Sequence, residues 1–459
     1  MSDRERIFRQ IAANRAAADA REIEPVRDRI RALKRLLRLI RGHLPVMLNA
    51  LYDDLGKSDF EAMATEIYPL ISVLKYMIRR LPRLAAPKRV GVSVLNFPAR
   101  GKIVQEPYGQ VLIVTTWNYP LLLTLEPVIG AYAAGTRVVV KLSKRATHSM
   151  HFLRWLLEEC FQPGRVLVID NELDFSEVLA ERFDYIFFTG SQSGGREVLA
   201  AAAPNLTPVT LELGGKNPCI VDESADLRVA AKRIVWGKFS NAGQACAAPD
   251  YLLVNRRIHD GLMHEIARAI RDFYGNSPLD SPDYPSIIDA DAYQRLSRLA
   301  GHGRLVAGGE TSAERLMISP TVLDRIDAGD ELLSGEFFGP LLPVAEFVST
   351  EELFMMLKGR GKPLALYYFG TDRKIMERLI FSTSSGAVVF NDVMTHFINP
   401  EMPFGGVGAS GMGAYHGRRT FETFSHAKPV MKQSAWFDWP FRYPPYGGWR
   451  KRLLERLCR

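Results

Sequence analysis

Between residues 111 and 203 the chain alternates short, wholly apolar runs with helical stretches, and few folds tolerate that pattern. Val111-Leu112-Ile113-Val114, Arg137-Val138-Val139-Val140, Val166-Leu167-Val168-Ile169 and Tyr185-Ile186-Phe187-Phe188 read as strands. One helical stretch is opened by Pro120, a favourable first helical residue; others lie around 147–160, near 174–181 and up to about 203. Strands without polar alternation are buried on both faces, so the expected fold class is α/β, with helices covering a parallel sheet. Such sheets take ligands at the carboxyl ends of their strands. A second alternating region runs from about 208 to 400, with strand candidates Val209–Leu213, Tyr251–Val254, Leu364–Phe369 and Ala387–Phe390.

Residues 1–85 read as helical. Arg27, Arg29, Arg31, Lys34, Arg35, Arg38 and Arg41 interleave there with Ile30, Leu33, Leu36, Leu37 and Ile40, the pattern of an amphipathic helix with a solvated basic face. No stacking aromatics or recognition motif accompany this charge, so nucleic acid is not an expected partner. The 459 residues allow two to four domains of roughly 100–200 residues each. A content of 47% hydrophobic and 24% charged residues excludes collagenous, disordered and small disulfide-stapled chains. The net charge of +8 suits an anionic partner, such as a phosphorylated cofactor or an acidic membrane surface, without choosing one. The charged N-terminus does not read as a signal peptide, and no apolar run reaches the roughly 18 residues of a spanning helix. The nearest, Leu121 to Gly135, contains Glu126 and reads as a buried helix. Cys160, Cys219, Cys246 and Cys458 are far apart, with no CxxC and no zinc-type spacing, so free thiols in a reducing cytoplasm and no metal are expected.

Several segments carry candidate chemistry. Cys246 ends Phe239-Ser240-Asn241-Ala242-Gly243-Gln244-Ala245, small flexible residues that could set a thiol near backbone donors. Taken alone, a cysteine is more often a buried small hydrophobe. Glu212 ends a strand before Gly214-Gly215 and could be an ordinary polar strand end. Asn118 follows the first strand, where a helix cap or turn residue is also common. Gly190-Ser191-Gln192-Ser193-Gly194-Gly195 lies between a strand and a helix, suited to phosphate or to plain turn chemistry.

Together these segments resemble the aldehyde dehydrogenase superfamily, most closely its class 3 branch of fatty, aromatic and coniferyl aldehyde dehydrogenases. The motifs are EPYGQVLIVTTWNYP, FTGSQSGG, TPVTLELGGKNP, GKFSNAGQACAAPDY, GEFFGP, PFGGVGASGMGAYHG and FETFSH, spanning residues 106–426, with RYPPY in the tail. The resemblance implies a Rossmann-like cofactor domain, a catalytic α/β domain and a small oligomerisation extension. These would be 1–87 with 109–211, then 212–425, and 88–108 with 426–459. It implies Cys246 as nucleophile, Glu212 as the base that activates water, and Asn118 with the Cys246 amide as the oxyanion site. It implies NAD or NADP as cofactor, held by Trp117, Lys141, Gly190, Ser191, Gly195, Glu336 and Phe338. A homodimer is the branch's usual state.

Two positions depart from the family pattern. Ala245 precedes the nucleophile where threonine is common. After the second strand the family often has Lys-Pro-Ser-Glu, whereas this chain has Lys141-Leu142-Ser143-Lys144. Lys144 thus replaces a glutamate that binds the adenosine 2′ and 3′ hydroxyls, and its ammonium suits a 2′-phosphate. Leu142 in place of proline could redirect the loop instead. A CoA-acylating relative is a second enzyme reading, opposed by Glu212; a catalytically silent structural or membrane-binding protein is a third, opposed by the complete residue set. In the tail Trp449, Leu453, Leu454 and Leu457 line one side of a helical pattern with Arg450, Lys451, Arg452, Arg456 and Arg459. That suits an interfacial helix on an acidic membrane, or a helix docked on its own subunit or a dimer partner.

Overall fold

The four apolar runs become the parallel core of a six-stranded sheet. Its order is Gly411–Met412, Val209–Leu213, Tyr185–Gly190, Gln110–Val114, Arg137–Lys141, Val166–Ile169. All neighbours are parallel except Gly411–Met412, which pairs antiparallel with Val209–Leu213. The computed structural model describes residues 2–93, 96–169, 172–327, 330–333, 335–439 and 442–458, without the side chains of Glu331 and Leu457. Arg459 and the Leu457 side chain, both part of the expected C-terminal pattern, therefore lie outside the described residues.

Strand periodicity sorts the apolar side chains to two faces. Val111, Ile113, Val138 and Val140 pack with the helices Val26–Gly42, Tyr68–Leu84, Pro120–Ala134 and Thr147–Cys160. Leu112, Val114 and Val139 point the other way, onto Asp3–Asp19, Phe175–Leu179 and Gln192–Ala202. The expected N-terminal helices therefore cover both faces of the sheet, and Leu33, Leu36 and Ile40 of the basic stretch are fully buried.

A seven-stranded sheet forms the second layer, ordered Arg304–Ala307, Thr321–Asp324, Leu341–Phe347, Tyr251–Asn255, Pro218–Val221, Ala365–Phe369, Ala387–Phe390. Only Arg304–Ala307 is antiparallel to its neighbour. Val209–Leu213, grouped by sequence with this second region, belongs to the first sheet: its ladder to Tyr185–Gly190 runs through Glu212 itself. Lys88–Val90, Arg100–Pro107 and Ser425–Lys432 form a separate antiparallel sheet from the two segments expected to make the extension. Among the described residues no helix is long and apolar enough to cross a membrane.

The helix Pro120–Ala134 is buried almost all round, and Gly135 in the left-handed region ends it. Leu142 does not turn the chain away. Its amide donates to Ile169 O at 2.9 Å and carries the parallel pairing one residue past Lys141, a bond that proline could not make.

Candidate active site

Cys246 is reached by a sharp bend. The helix Leu227–Phe239 stops, and Asn241, Ala242 and Gly243 take φ of 52°, 50° and 73° in succession. Two non-glycine residues in this region are strained, and hydrogen bonds hold them there. Glu61 accepts from the Asn241 amide at 2.6 Å; Asn241 Nδ2 donates to the carbonyls of Asn118 at 2.8 Å and Gln244 at 3.1 Å. Gln244 Nε2 donates to Ser286 O at 2.9 Å, and its Oε1 accepts from the Ile288 amide. The amides of Cys246 and Ala247 point at the half-buried thiol. Burial, then Glu336 and Glu212, nonetheless push that thiol up to about 12.

Glu212 and Cys246 line one cavity whose walls are mainly Tyr119, Leu122, Leu123, Met394, Phe397 and Phe404. The Glu212 carboxyl is buried, and neither oxygen has a hydrogen-bond partner among the described residues. Burial first, then the Glu126 carboxylate, raises it well above the usual carboxylate range. Glu126 itself meets His416 Nδ1 at 2.6 Å in the same cavity. Burial opposes charge on that imidazole, but Glu126 more than offsets it and raises the His416 pKa.

Asn118 is buried and does not cap the helix that follows. Its Nδ2 donates to Gln244 O at 3.0 Å, two residues before the thiol, and its Oδ1 accepts from Thr116 Oγ1 at 3.2 Å. The Trp117 and Phe338 rings meet edge to face with centroids 5.3 Å apart. Glu336 lies over Gly214-Gly215 and accepts from the Gly215 amide; a Cβ on Gly214 would stand 2.0 Å from its Oε2. Burial and Asp250 push Glu336 up to about 8, against that amide, Lys238 and Lys216. Asp250, 2.7 Å from Lys216 Nζ, also accepts from the Phe337 amide and so pins the Glu336–Phe338 turn.

Lys141 is buried at the carboxyl end of its strand, while Lys144 is exposed in the following turn. Ser191 caps the helix Gln192–Ala202, accepting from the Gly194 amide at 3.2 Å. The glycines of that turn have packing reasons: Cβ atoms at 190 and 194 would lie 2.7 and 2.6 Å from Phe188 Cζ, and one at 195 would lie 3.0 Å from Leu213 Cδ2. Cys219 is fully buried in a strand, Cys160 is buried at a helix end, and Cys458 is exposed away from the cavity. Sequence reasoning missed Lys57, Glu61, Glu66, Asn241, Gln244 and His416 as parts of this site. A lone carboxylate in the apolar run 121–135, Glu126, was the visible signal.

The carboxyl ends of three neighbouring strands present Trp117, Lys141 and Gly190 at one end of the first sheet, where α/β sheets take dinucleotides. The adjoining strand carries Glu212 into the cavity of the thiol. This is the arrangement of an oxidoreductase that works with a pyridine nucleotide. Comparison with known proteins narrows the class: the chain belongs to the aldehyde dehydrogenase family, whose profile matches residues 1–430. It is 41% identical over 435 residues to aldehyde dehydrogenase family 3 member H1 of Arabidopsis thaliana, covering 94% of this chain and 90% of the relative. It is 39% identical over 434 residues to a dimeric NADP-preferring aldehyde dehydrogenase of Canis lupus familiaris, covering 94% and 96%. The substrate-bound structure of Staphylococcus aureus AldH superposes with a TM-score of 0.95 at 38% identity, covering all of both chains. The protein is an aldehyde dehydrogenase that oxidises an aldehyde to the acid with NAD or NADP.

Gly214→Ala tests the seat of Glu336. The added methyl displaces only the end of a flexible side chain, so the fold should survive. With Glu336 in the cofactor role that the sequence resemblance implies, NAD(P) binding should weaken by roughly tenfold, the scale of one hydrogen bond to a charged group. Isothermal titration against unchanged thermal unfolding checks this.

Proposed function

We propose that Cys246 is the nucleophile, that Asn118 and the Cys246 amide form the oxyanion site, and that Glu212 is the base for hydrolysis. The observation that carries this is the pairing, in one apolar cavity, of a thiol with a buried carboxyl whose two oxygens take no hydrogen bond from the described residues. A carboxyl that the surrounding protein groups do not engage can accept a hydrogen bond from water, the reactant that hydrolysis requires. Cys246 gives its proton to solvent and its sulfur adds to the aldehyde carbon as the carbonyl pair moves to oxygen; the resulting oxyanion is met by the Asn118 amide and the Cys246 N–H. The nicotinamide, when bound, supplies the acceptor for the hydride, leaving an acyl group on sulfur. Glu212 then takes a proton from water as its oxygen adds to the acyl carbon, and the Cys246 sulfur departs with the bonding pair. Trp117, Lys141, Gly190, Ser191, Gly195, Glu336 and Phe338 would hold the dinucleotide. The carboxyl set over the Gly214-Gly215 backbone suits a ribose diol. Glu212 favours water over coenzyme A as the acyl acceptor.

The apolar walls suit medium- or long-chain aliphatic and aromatic aldehydes. Ser425–Lys432 is an outer strand of its sheet, and an open edge suits pairing with a second copy; one relative is named dimeric. The division of the chain into a cofactor unit, a catalytic unit and this oligomerisation sheet is part of the same proposal. Free cysteines suit the cytoplasm.

Cys246→Ala should abolish turnover while cofactor binding persists. Glu212→Gln should keep a burst of reduced cofactor and then turn over about 10²-fold more slowly. Stopped-flow absorbance separates the two phases, and an undiminished steady rate in Glu212→Gln assigns the base elsewhere.

Lys144 should admit NADP⁺ as well as NAD⁺, since its exposed ammonium follows the strand of Lys141. Lys144→Glu should shift kcat/KM toward NAD⁺ by roughly tenfold to a hundredfold, the worth of one charged hydrogen bond. An unmoved ratio means that this lysine does not read the 2′ position.

The helix Trp449–Leu457 exposes Trp449, Leu453 and Leu454 beside Arg450, Lys451, Arg452 and Arg456, which suits an anionic membrane surface. Co-sedimentation with anionic liposomes, lost on deletion of 449–459, is expected. No binding at low salt removes this contact.

A further inference from the structure

The buried pair Lys57 and Glu66 lies one layer behind the cavity. Both side chains are wholly excluded from solvent, with Lys57 Nζ 2.6 Å from Glu66 Oε1. Removing two charges from water is costly, and their mutual attraction alone seldom offsets it. Their remaining hydrogen bonds are directed at one short piece of backbone. Lys57 Nζ donates to Asn118 O at 3.1 Å and stands 4.0 Å from the centre of the Tyr119 ring. Glu66 Oε2 accepts from the Leu121 amide at 2.9 Å and the Leu122 amide at 3.3 Å. Those are the first amides that the helix Pro120–Ala134 has to offer, because Pro120 has none.

The pair thus grips residues 118–122 at both ends. The Asn118 carbonyl is also bound by Asn241 Nδ2, from the bend that leads to Cys246. One carbonyl therefore ties the N-terminal helices to the thiol loop, and the side chain on the same residue is the proposed oxyanion donor. Fixing that peptide fixes the direction of the Asn118 Cα–Cβ bond, and hence where its amide points.

We propose that Lys57 and Glu66 are positioning residues for the reaction, holding Asn118 so that its amide meets the oxyanion. This rests on the reading of Asn118 given above. Neither residue touches substrate, and both act through the 118–122 backbone. A displaced amide weakens a hydrogen bond made only in the transition state, so the loss should appear in the rate of the first chemical phase and not in cofactor affinity.

The test is a double-mutant cycle on the burst rate of reduced cofactor, using Lys57→Met, Asn118→Ala and both together. Asn118→Ala should slow the burst by roughly 10²–10³-fold, the usual scale for one oxyanion donor. Lys57→Met should slow it about tenfold or more in the wild-type background and scarcely at all once Asn118 is alanine. NAD(P) dissociation constants should stay unchanged. Lys57→Met/Glu66→Leu, which replaces the pair by apolar side chains, should recover thermal stability but not the burst, and serves in the cycle if Lys57→Met does not fold. Equal losses in both Asn118 backgrounds, or recovery of burst and stability together, overturn the positioning role. A full burst in Asn118→Ala overturns the oxyanion reading itself, and the inference with it.

Discussion

A parallel sheet covered by helices on both faces leaves the ends of its strands open to a ligand, and four of the candidate residues are gathered at the carboxyl ends here. Trp117, Lys141 and Gly190 follow or end three adjacent strands, and Glu212 sits near the end of the fourth. The burial of Val111–Val114 and Val138–Val140 on both sides makes those ends rigid. The left-handed run before Cys246 follows a helix instead, and Glu61 and the Asn118 carbonyl, which lies just past the first strand, hold it in place.

The electrostatics follow from the same burial. Glu212 and Glu336 are both driven upward chiefly by loss of water, and both help push the Cys246 thiol upward. Each negative charge opposes the next, so the cavity admits one more readily than several. Opposing this are the Cys246 and Ala247 amides at the sulfur and the Gly215 amide at Glu336. Backbone dipoles thus do most of the stabilising close to the reacting groups, with the cations Lys216 and Lys238 set back beside Asp250.

The first sheet was legible because its strands announce themselves locally. Short apolar runs between helices have one common solution, and the register shifts of a residue or two at their ends change nothing. Val209–Leu213 was harder to assign: its own residues read as a strand, but nothing in them says which sheet it joins. The catalytic candidates were legible through motifs. The supports were not, because Lys57, Glu61 and Glu66 look like any polar helix face until the fold buries them against residues 55–180 positions away. The glycines at 190, 194 and 195 carried a signal that could be read as phosphate chemistry, and Phe188 and Leu213 supply a packing reason for them that only the coordinates reveal.

The strand Gly411–Met412 closes the outer edge of the first sheet against Leu211 and Glu212, and Ser410 O takes the Leu213 amide at 3.1 Å. During synthesis, therefore, the strand bearing Glu212 waits for about two hundred residues before its last neighbour leaves the ribosome, tens of seconds at roughly 5–20 residues per second. Over that interval the sheet has a bare edge, the form of backbone most prone to pair with a stranger.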